Sequence, residues 1–126
     1  MIWSTKDVSE ITGASLRQLQ WYDEQGYLAT PLRGHSRVWD QEALRRVIVL
    51  KRIRDGGSNF HPSLKRLKNS ILSLRYLLFY RPRPWGSVQL CAASDDPADI
   101  IRIATASKDG VLLVELPPLM DPLEKR

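Results

Sequence analysis

Short helices separated by glycine stops dominate the first 57 residues of the chain. Ser4 and Asp7 place a hydroxyl cap and a carboxylate three positions apart, which is typical of a helix start. Gly13 then ends this helix after about two turns. Ser15 caps a second short helix, which Gly26 ends. Two short helices joined by a tight turn form a helix-turn-helix, a unit that is common in small helical proteins.

The segment after the second helix has the features of a hairpin followed by a longer helix. Gly34 can form a turn, and the alternation of polar and apolar residues over 37–39 indicates a short strand. We therefore expect a small hairpin, or wing, over 29–39. Asp40 caps a third helix predicted from Gln41 to Asp55, ahead of a glycine pair.

Large apolar residues continue beyond the third helix at alternating spacings of four and three. Such a stripe predicts a long fourth helix over 60–80, capped at Ser58 or Asn59. The stripe covers little more than two heptads, so a packed core face is favoured over a coiled coil. Its members are Phe60, Leu64, Leu67, Ile71, Leu74 and Leu78. The Arg-Pro repeat over 81–84 cannot continue a helix and marks a junction.

The last 40 residues have the pattern of a strand, a helix and a second strand. The two strands are predicted over 88–92 and 111–116. Asp96 and Pro97 begin the helix between them, which ends near Ser107. A connection of this length lets the two strands run parallel. Two strands alone are marginally stable, so we expect the unit to pack on the long helix or on a second chain.

Charge is divided unevenly along the sequence. The 126 residues carry a formal net charge of +5. Residues 1–86 contain 15 Lys and Arg against 7 Asp and Glu, a net charge of +8, whereas residues 87–126 carry −3. A basic first part beside an acidic last part indicates a polyanionic partner, such as nucleic acid, for the first part.

Several classes of protein are excluded by composition. A single cysteine, Cys91, cannot form a thiolate metal site, and His35 and His61 lie far apart without a carboxylate cluster. We expect Cys91 to be a small buried apolar residue of its strand. The chain has neither an apolar run of membrane-spanning length nor a secretion signal, which favours a cytoplasmic protein. No nucleophile–base pair stands out, so we expect no enzyme activity, metal or cofactor.

With this order of elements, residues 3–78 resemble the winged DNA-binding domain of the MerR family of bacterial transcription regulators. The resemblance is carried by residues 7–28 and 50–56, by Pro31 and Arg33, and by the segment 37–39. A family stretch that usually reads threonine-leucine-arginine-tyrosine-tyrosine-glutamate is here Gln-Leu-Gln-Trp-Tyr-Asp. Because such departures fall on residues that face DNA, the target sequence of the family does not carry over.

The second helix holds the residues best suited to reading bases. Side chains near the N-terminus of such a helix reach base edges in the major groove, and here they are Ser15, Arg17 and Gln18. Arginine pairs with guanine and glutamine with adenine. The resemblance adds DNA contacts for Arg17 and for Trp21 and Tyr22. Packing in the core is the alternative for Trp21, while the Tyr22 hydroxyl is expected to reach a phosphate.

The wing and the third helix supply further basic residues. Arg33, His35 and Arg37 are expected to lie along the phosphate backbone, which gives salt-sensitive positioning rather than sequence reading. The resemblance implies phosphate contacts for Arg37 and Trp39. The basic residues of the third helix are expected to form a solvated face; they are Arg45, Arg46, Lys51, Arg52 and Arg54.

These features predict a mainly α fold with a small amount of β structure. A winged helix-turn-helix domain including the long fourth helix is expected over 1–80, a Pro/Arg junction over 81–86, and a strand–helix–strand unit for dimerisation or effector binding over 87–126. The leading interpretation is a transcription regulator that binds a pseudo-palindromic site on double-stranded DNA as a homodimer. Its effector would be a small molecule or a protein. The alternatives are an excisionase-like architectural factor and an antitoxin-like protein-interaction module.

Overall fold

The computed structural model describes residues 3–28, 39–60, 62–81, 87–107 and 110–118 of the chain. The helices are α1 (Thr5–Thr12), α2 (Leu16–Glu24), α3 (Gln41–Asp55), α4 (Asn69–Leu72) and α5 (Pro97–Ala106), with a 3-10 turn at Pro62–Arg66. The strands are β1 (Asn59–Phe60), β2 (Tyr76–Tyr80), β3 (Ser87–Ser94) and β4 (Val111–Glu115).

Side-chain caps fix the start of the first two helices, as predicted. The Ser4 hydroxyl accepts a hydrogen bond from the Asp7 N–H at 3.1 Å, and the Asp7 carboxylate accepts one from the Ser4 N–H at 3.2 Å. Gly13 ends α1 with a positive φ of 79°, a conformation that favours glycine. Ser15 and Gln18 repeat the capping arrangement at α2. The predicted helix-turn-helix is therefore confirmed.

The third helix also has its predicted bounds, and it lies at the centre of the core. The Asp40 carboxylate accepts a hydrogen bond from the Ala43 N–H at 2.8 Å and caps α3. The wing predicted over 29–39 lies outside the described residues, apart from Trp39. The Trp39 backbone pairs with that of Trp3 just before α1, through hydrogen bonds of 2.8 and 3.2 Å.

The predicted long fourth helix is wrong. The chain forms β1, the 3-10 turn, α4 and β2 in its place. Leu77, Leu78 and Phe79 are consecutive and all buried. Three consecutive buried residues suit a strand covered on both faces, because successive side chains of a strand point to opposite sides. The apolar spacing that resembles a helix arises because several short elements each place a leucine in the core.

The C-terminal strands and helix are confirmed, and β2 is the strand that unites them. The sheet has the order β1-β3-β2-β4, with β3 and β4 antiparallel to β2 on either side of it. The two predicted strands thus run parallel to each other, as expected, but they are separated by β2. β1 adds a short parallel pairing at the start of β3.

Helices cover the sheet on both faces. Leu77, Phe79 and Val114 belong to the same buried cluster as Val47 and Ile53 of α3. On the opposite face α5 packs against β3 and β2, where Ile100 and Leu78 are buried. The fold is therefore a mixture of helix and sheet rather than mainly α, and the N-terminal helices share a core with the sheet.

Arg45 is buried, contrary to the expected solvated face. Its guanidinium donates hydrogen bonds to the backbone carbonyl oxygens of Leu72, Leu74 and Pro117. These carbonyls lie at the end of α4, just after α4 and after β4, so one α3 side chain links α3 to two later segments. Burial lowers the pKa of Arg45, and the nearby Arg75 lowers it further.

Arg46 is buried on the neighbouring side of α3. It donates hydrogen bonds to the carbonyl oxygens of Leu64 and Leu67, next to the 3-10 turn. Burial lowers its pKa, whereas the Glu42 carboxylate raises it. The two arginines thus donate hydrogen bonds to carbonyl groups between 64 and 74. In a continuous helix these carbonyls would accept backbone N–H groups instead, so the arginine contacts favour the short segments over the predicted helix.

Cys91 is exposed, which corrects the expectation that it is buried. In the pairing of β2 with β3, Leu78 lies opposite Ala92 and Phe79 lies opposite Leu90. Cys91 is therefore the extra residue of a β-bulge, and such a residue is left out of the ladder.

Candidate nucleic-acid interface

The N-terminus of α2 is stabilised by two of the residues predicted to read bases. The Ser15 hydroxyl accepts a hydrogen bond from the Gln18 N–H at 3.0 Å. The side-chain Oε1 of Gln18 accepts one from the Ser15 N–H at 2.8 Å. A bidentate contact with adenine needs both the oxygen and the amide N–H of glutamine. In this conformation the Gln18 amide donor is therefore the group available to DNA.

One face of α2 is exposed while the other is buried. Arg17 and Trp21 lie four positions apart on the exposed face, and the Trp21 side chain is 38% exposed. Leu19 and Tyr22 are buried on the other face. The exposed face thus presents a guanidinium followed one turn later by a large aromatic ring.

Trp21 is the outer member of an aromatic cluster. Its ring stacks on Tyr27 at 6.0 Å between centroids and 23° between planes. It also forms an edge contact with Tyr22 at 5.9 Å between centroids, and its ring is tilted by 45° against Phe60 at 6.1 Å. One side of the Trp21 ring is therefore packed, as in the alternative considered from the sequence, while the exposed part leaves room for the predicted DNA contact.

Arg54 of α3 lies beside this face of α2. Its guanidinium carbon is 5.6 Å from the centroid of the Trp21 ring and 5.5 Å from that of Phe60, within the range of cation–π attraction. Six residues line a cleft of about 220 Å³ between the two helices: Ser15, Arg17, Gln18, Trp21, Tyr22 and Arg54. The sequence predicts only a solvated face for Arg54. Its position next to Trp21 depends on the packing of α3 against α2.

Further charge surrounds the aromatic cluster. The Lys65 ammonium lies 5.3 Å from the centroid of the Tyr27 ring. Asp55, the residue after Arg54, forms an ion pair with Lys51 at 2.7 Å. Exposed cations interleaved with aromatic rings suit a phosphate backbone, because arginine both stacks and donates to phosphate oxygens.

Tyr22 is a core residue of this site rather than a surface residue. The side chain is only 2% exposed, and its hydroxyl has no hydrogen-bond partner among the described residues. Burial raises the pKa of Tyr22, while the Arg54 cation lowers it and the Asp55 carboxylate raises it. The expected phosphate contact of the hydroxyl is not accessible in this conformation.

Trp39 is buried in the same way. Its indole N–H donates a hydrogen bond to the Thr5 hydroxyl of α1 at 3.0 Å. The ring therefore anchors the end of the wing segment to α1, and the expected phosphate contact of Trp39 is not accessible either. Arg33, His35 and Arg37, the other predicted wing contacts, lie outside the described residues.

Nowhere in the described ranges do three or more His, Cys, Asp or Glu residues come together in a group that could hold a metal ion. None of the helices described there is long and apolar enough to cross a membrane.

Similarity to known proteins falls on the elements that build this interface. Residues 3–62 match the family described as MerR HTH family regulatory protein. The chain is also similar to the nodulation protein NolA of Bradyrhizobium elkanii, with 26% identity over 125 residues. The matched region covers 98% of this chain and 56% of NolA, so the chain spans little more than half of that relative's length. The family match includes α1, α2 and α3.

Proposed function

Residues 3–62 form a helix-turn-helix domain of the MerR type, and from this premise we propose that the protein is a DNA-binding transcription regulator that reads a specific sequence. The observation that carries the proposal is the exposed face of α2, where Arg17 and Trp21 lie beside Arg54. An α-helix is about 10–12 Å across with its side chains, which suits entry of α2 into a major groove about 12 Å wide.

Within this proposal, Arg17 is the main base-reading residue. It is exposed in the first turn of α2, where a guanidinium reaches the O6 and N7 atoms of guanine. The amide N–H of Gln18 is the second donor on this face. Ser15 acts by capping the helix, so its contribution to DNA binding is through the position of Arg17 and Gln18.

Arg54 and Lys65 are the proposed phosphate contacts beside the reading helix. Both cations lie against the aromatic cluster, which limits their freedom before DNA binds. Phosphate contacts fix the orientation of α2 in the groove without reading sequence. We assign the same role to the three predicted wing residues: Arg33, His35 and Arg37.

Tyr22 and Trp39 take supporting roles in this proposal. Tyr22 packs α2 against the aromatic cluster, and Trp39 fixes the end of the wing segment on α1. Both positions act through the orientation of the residues that contact DNA.

Two copies of the protein are proposed to bind one pseudo-palindromic site. A single short helix reads only a few base pairs, and two-fold pairing doubles the readable length. The target is therefore double-stranded DNA with two half-sites related by inverted symmetry.

Selection of bound sites from random duplex DNA tests the proposal. We expect an enriched sequence with inverted symmetry, bound by two copies, and an affinity that falls steeply with salt. Failure to enrich any sequence together with salt-independent or absent DNA binding would contradict the proposed function. Continuous head-to-tail coverage of DNA without inverted symmetry would instead favour an architectural factor of the excisionase kind.

A further inference from the structure

β4 is the last described strand of the sheet, and among the described residues one of its edges is paired and the other is not. The sheet order places β2 on one side of β4 and no described strand on the other. The Leu116 N–H donates to the Arg75 carbonyl oxygen at 2.7 Å, and the Gly110 carbonyl oxygen accepts from the Arg81 N–H at 2.8 Å. Even-numbered residues from 110 to 116 thus direct their backbone groups towards β2.

Odd-numbered residues consequently direct their backbone groups away from the sheet. These are Val111, Leu113 and Glu115, whose N–H and C=O groups alternate along the open edge. The sequence of β4 contains no lysine, proline or bulge of the kind that protects edge strands. Leu113 is 49% exposed, and α5 packs against β3 and β2 at the far side of this edge. No described segment pairs with this edge, so its backbone groups can hydrogen-bond to another strand.

We propose that β4 pairs with β4 of a second copy of this chain, in an antiparallel arrangement that makes one continuous eight-stranded sheet. This proposal rests on the proposed function, because a pseudo-palindromic DNA site requires two copies related by two-fold symmetry. Leu113 of one copy lies opposite Leu113 of the other, on the two-fold axis. Val111 lies opposite Glu115, and about six backbone hydrogen bonds form across the axis.

This register follows from the residues of β4. It pairs all five strand residues of each copy, and it covers the exposed Leu113 side chain with its own counterpart. The two Glu115 carboxylates, each already paired with Arg75 at 3.1 Å, stay at opposite ends of the interface. A register centred on Glu115 would place two like charges opposite each other and is disfavoured.

The size of the edge indicates a weak dimer. Five residue pairs bury less than the roughly 1,200–2,000 Å² of a standard stable interface. We therefore expect a dissociation constant in the micromolar range or above. Two half-sites on one DNA molecule bring the copies together and raise their effective concentration.

Sedimentation of the full chain with and without Leu113→Pro tests the interface. The Leu113 N–H points away from β2, so proline at this position removes a donor of the open edge and leaves the pairing with β2. The wild type is expected to form dimers as its concentration rises to about 100 μM, a range in which weak interfaces form. Leu113→Pro is expected to stay monomeric with an unchanged circular dichroism spectrum. Ile101→Gln is the matched control, because Ile101 is an exposed apolar residue of α5 away from the edge, and it should dimerise like the wild type.

Cysteine cross-linking tests the register. In a Cys91→Ser background, Leu113→Cys should form a covalent dimer on mild oxidation, because Cα atoms of such a pair are about 5.5 Å apart. Val111→Cys is the control. In this register the Cα atoms of position 111 in the two copies are offset by four residues along the strands. That offset is about 13 Å, which is too far for a disulfide. A wild type that stays monomeric both free and on DNA would overturn the proposal, as would a Leu113→Pro variant that dimerises normally or a cross-link at 111 but not at 113.

Binding to random duplex DNA at low salt separates this inference from the proposed function. Leu113→Pro should keep the affinity of each single chain for DNA, because β4 is not part of the α2 interface. If no variant binds DNA while the dimer forms and Leu113→Pro abolishes it, the proposed function fails and the interface stands. If DNA is bound and Leu113→Pro leaves the dimer intact, the interface fails and the proposed function stands.

Discussion

The guanidinium of Arg54 lies over the ring of Trp21, with 5.6 Å between its carbon and the ring centroid. This contact joins the last turn of α3 to the exposed face of α2. It also places a second cation on the cleft that Arg17 lines. Arg17 is the one arginine of α2, and the contact adds the charge of Arg54 to the exposed face of this helix.

Replacing Arg54 should weaken DNA binding through the phosphate backbone. We expect Arg54→Ala to lower affinity for specific and random duplexes alike and to reduce the salt slope by about one counterion per copy. Arg54→Lys should restore part of the affinity, because lysine keeps the charge but lacks the planar group that stacks on Trp21. Salt titrations of labelled duplexes measure both quantities.

Arg52 provides the matched control for Arg54. It is exposed on the same helix two residues earlier, and it lines a different groove, towards β4. Arg52→Ala should change the salt slope much less than Arg54→Ala. Equal losses in the two variants would mean that general charge, and not the position beside Trp21, accounts for the effect.

Gln18 has two separable roles, in the helix cap and at the DNA surface. Gln18→Glu keeps an oxygen for the Ser15 N–H but removes the amide donor, so unfolding free energy should be unchanged while specific DNA affinity falls. Ser15→Ala removes a hydroxyl cap and should cost about 1 kcal/mol of stability. Urea unfolding and duplex titration of both variants test the separation. A Gln18→Glu variant that keeps full affinity would remove Gln18 from the interface.

Arg45 should matter for stability rather than for DNA. Arg45→Met removes the donor from the carbonyl oxygens of Leu72, Leu74 and Pro117, and we expect a loss of roughly 3 kcal/mol in unfolding free energy. Arg52→Met, an exposed change on the same helix, should stay within about 0.5 kcal/mol. Chemical denaturation measures the difference, and equal stabilities of the two variants would contradict the structural role of Arg45.

The N-terminal helices could be predicted because their boundaries are local. Capping side chains at Ser4, Ser15 and Asp40 hydrogen-bond within three residues, so the sequence contains both partners of each contact. The candidate site depended on more distant contacts. Arg17 was identified from its place in the helix, whereas Arg54 comes next to it only through the packing of α3 on α2.

The region from Phe60 to Tyr80 could not be predicted from spacing alone. Its leucines recur at helical intervals, but tertiary contacts with the buried Arg45 and Arg46 stabilise short segments instead. The sequence pattern does not reveal β2 as a strand, although β2 lies between β3 and β4 in the sheet. It therefore predicts β3 and β4 without their central partner. Trp39 shows the same limit, because its burial depends on Thr5, 34 positions earlier.

The buried hydroxyl of Tyr22 predicts a pH dependence of stability. Burial raises its pKa above the ordinary value of 10.0. The folded state then holds the proton more tightly than the unfolded state, so this contribution is fully present below about pH 10 and is lost as pH rises through the folded-state pKa. Tyr22→Phe should remove this alkaline loss, and at pH 7 it should be neutral or slightly stabilising because no described partner of the hydroxyl is lost. Thermal unfolding at pH 7 and pH 11 checks both expectations, and a large loss at pH 7 would reveal a hydrogen bond to the hydroxyl.

Arg17→Ala is designed to remove the reading of DNA sequence by α2. Affinities are measured for one selected duplex and one random duplex over a salt series, with Arg37→Ala as the phosphate-contact comparison and Arg102→Ala, an exposed arginine of α5, as the control. Losing one bidentate contact with guanine costs about 1–3 kcal/mol of discrimination. We expect Arg17→Ala to lower the ratio of specific to random affinity, Arg37→Ala to lower both affinities about equally, and Arg102→Ala to change neither. An unchanged ratio for Arg17→Ala would contradict the assignment of α2 as the reading helix.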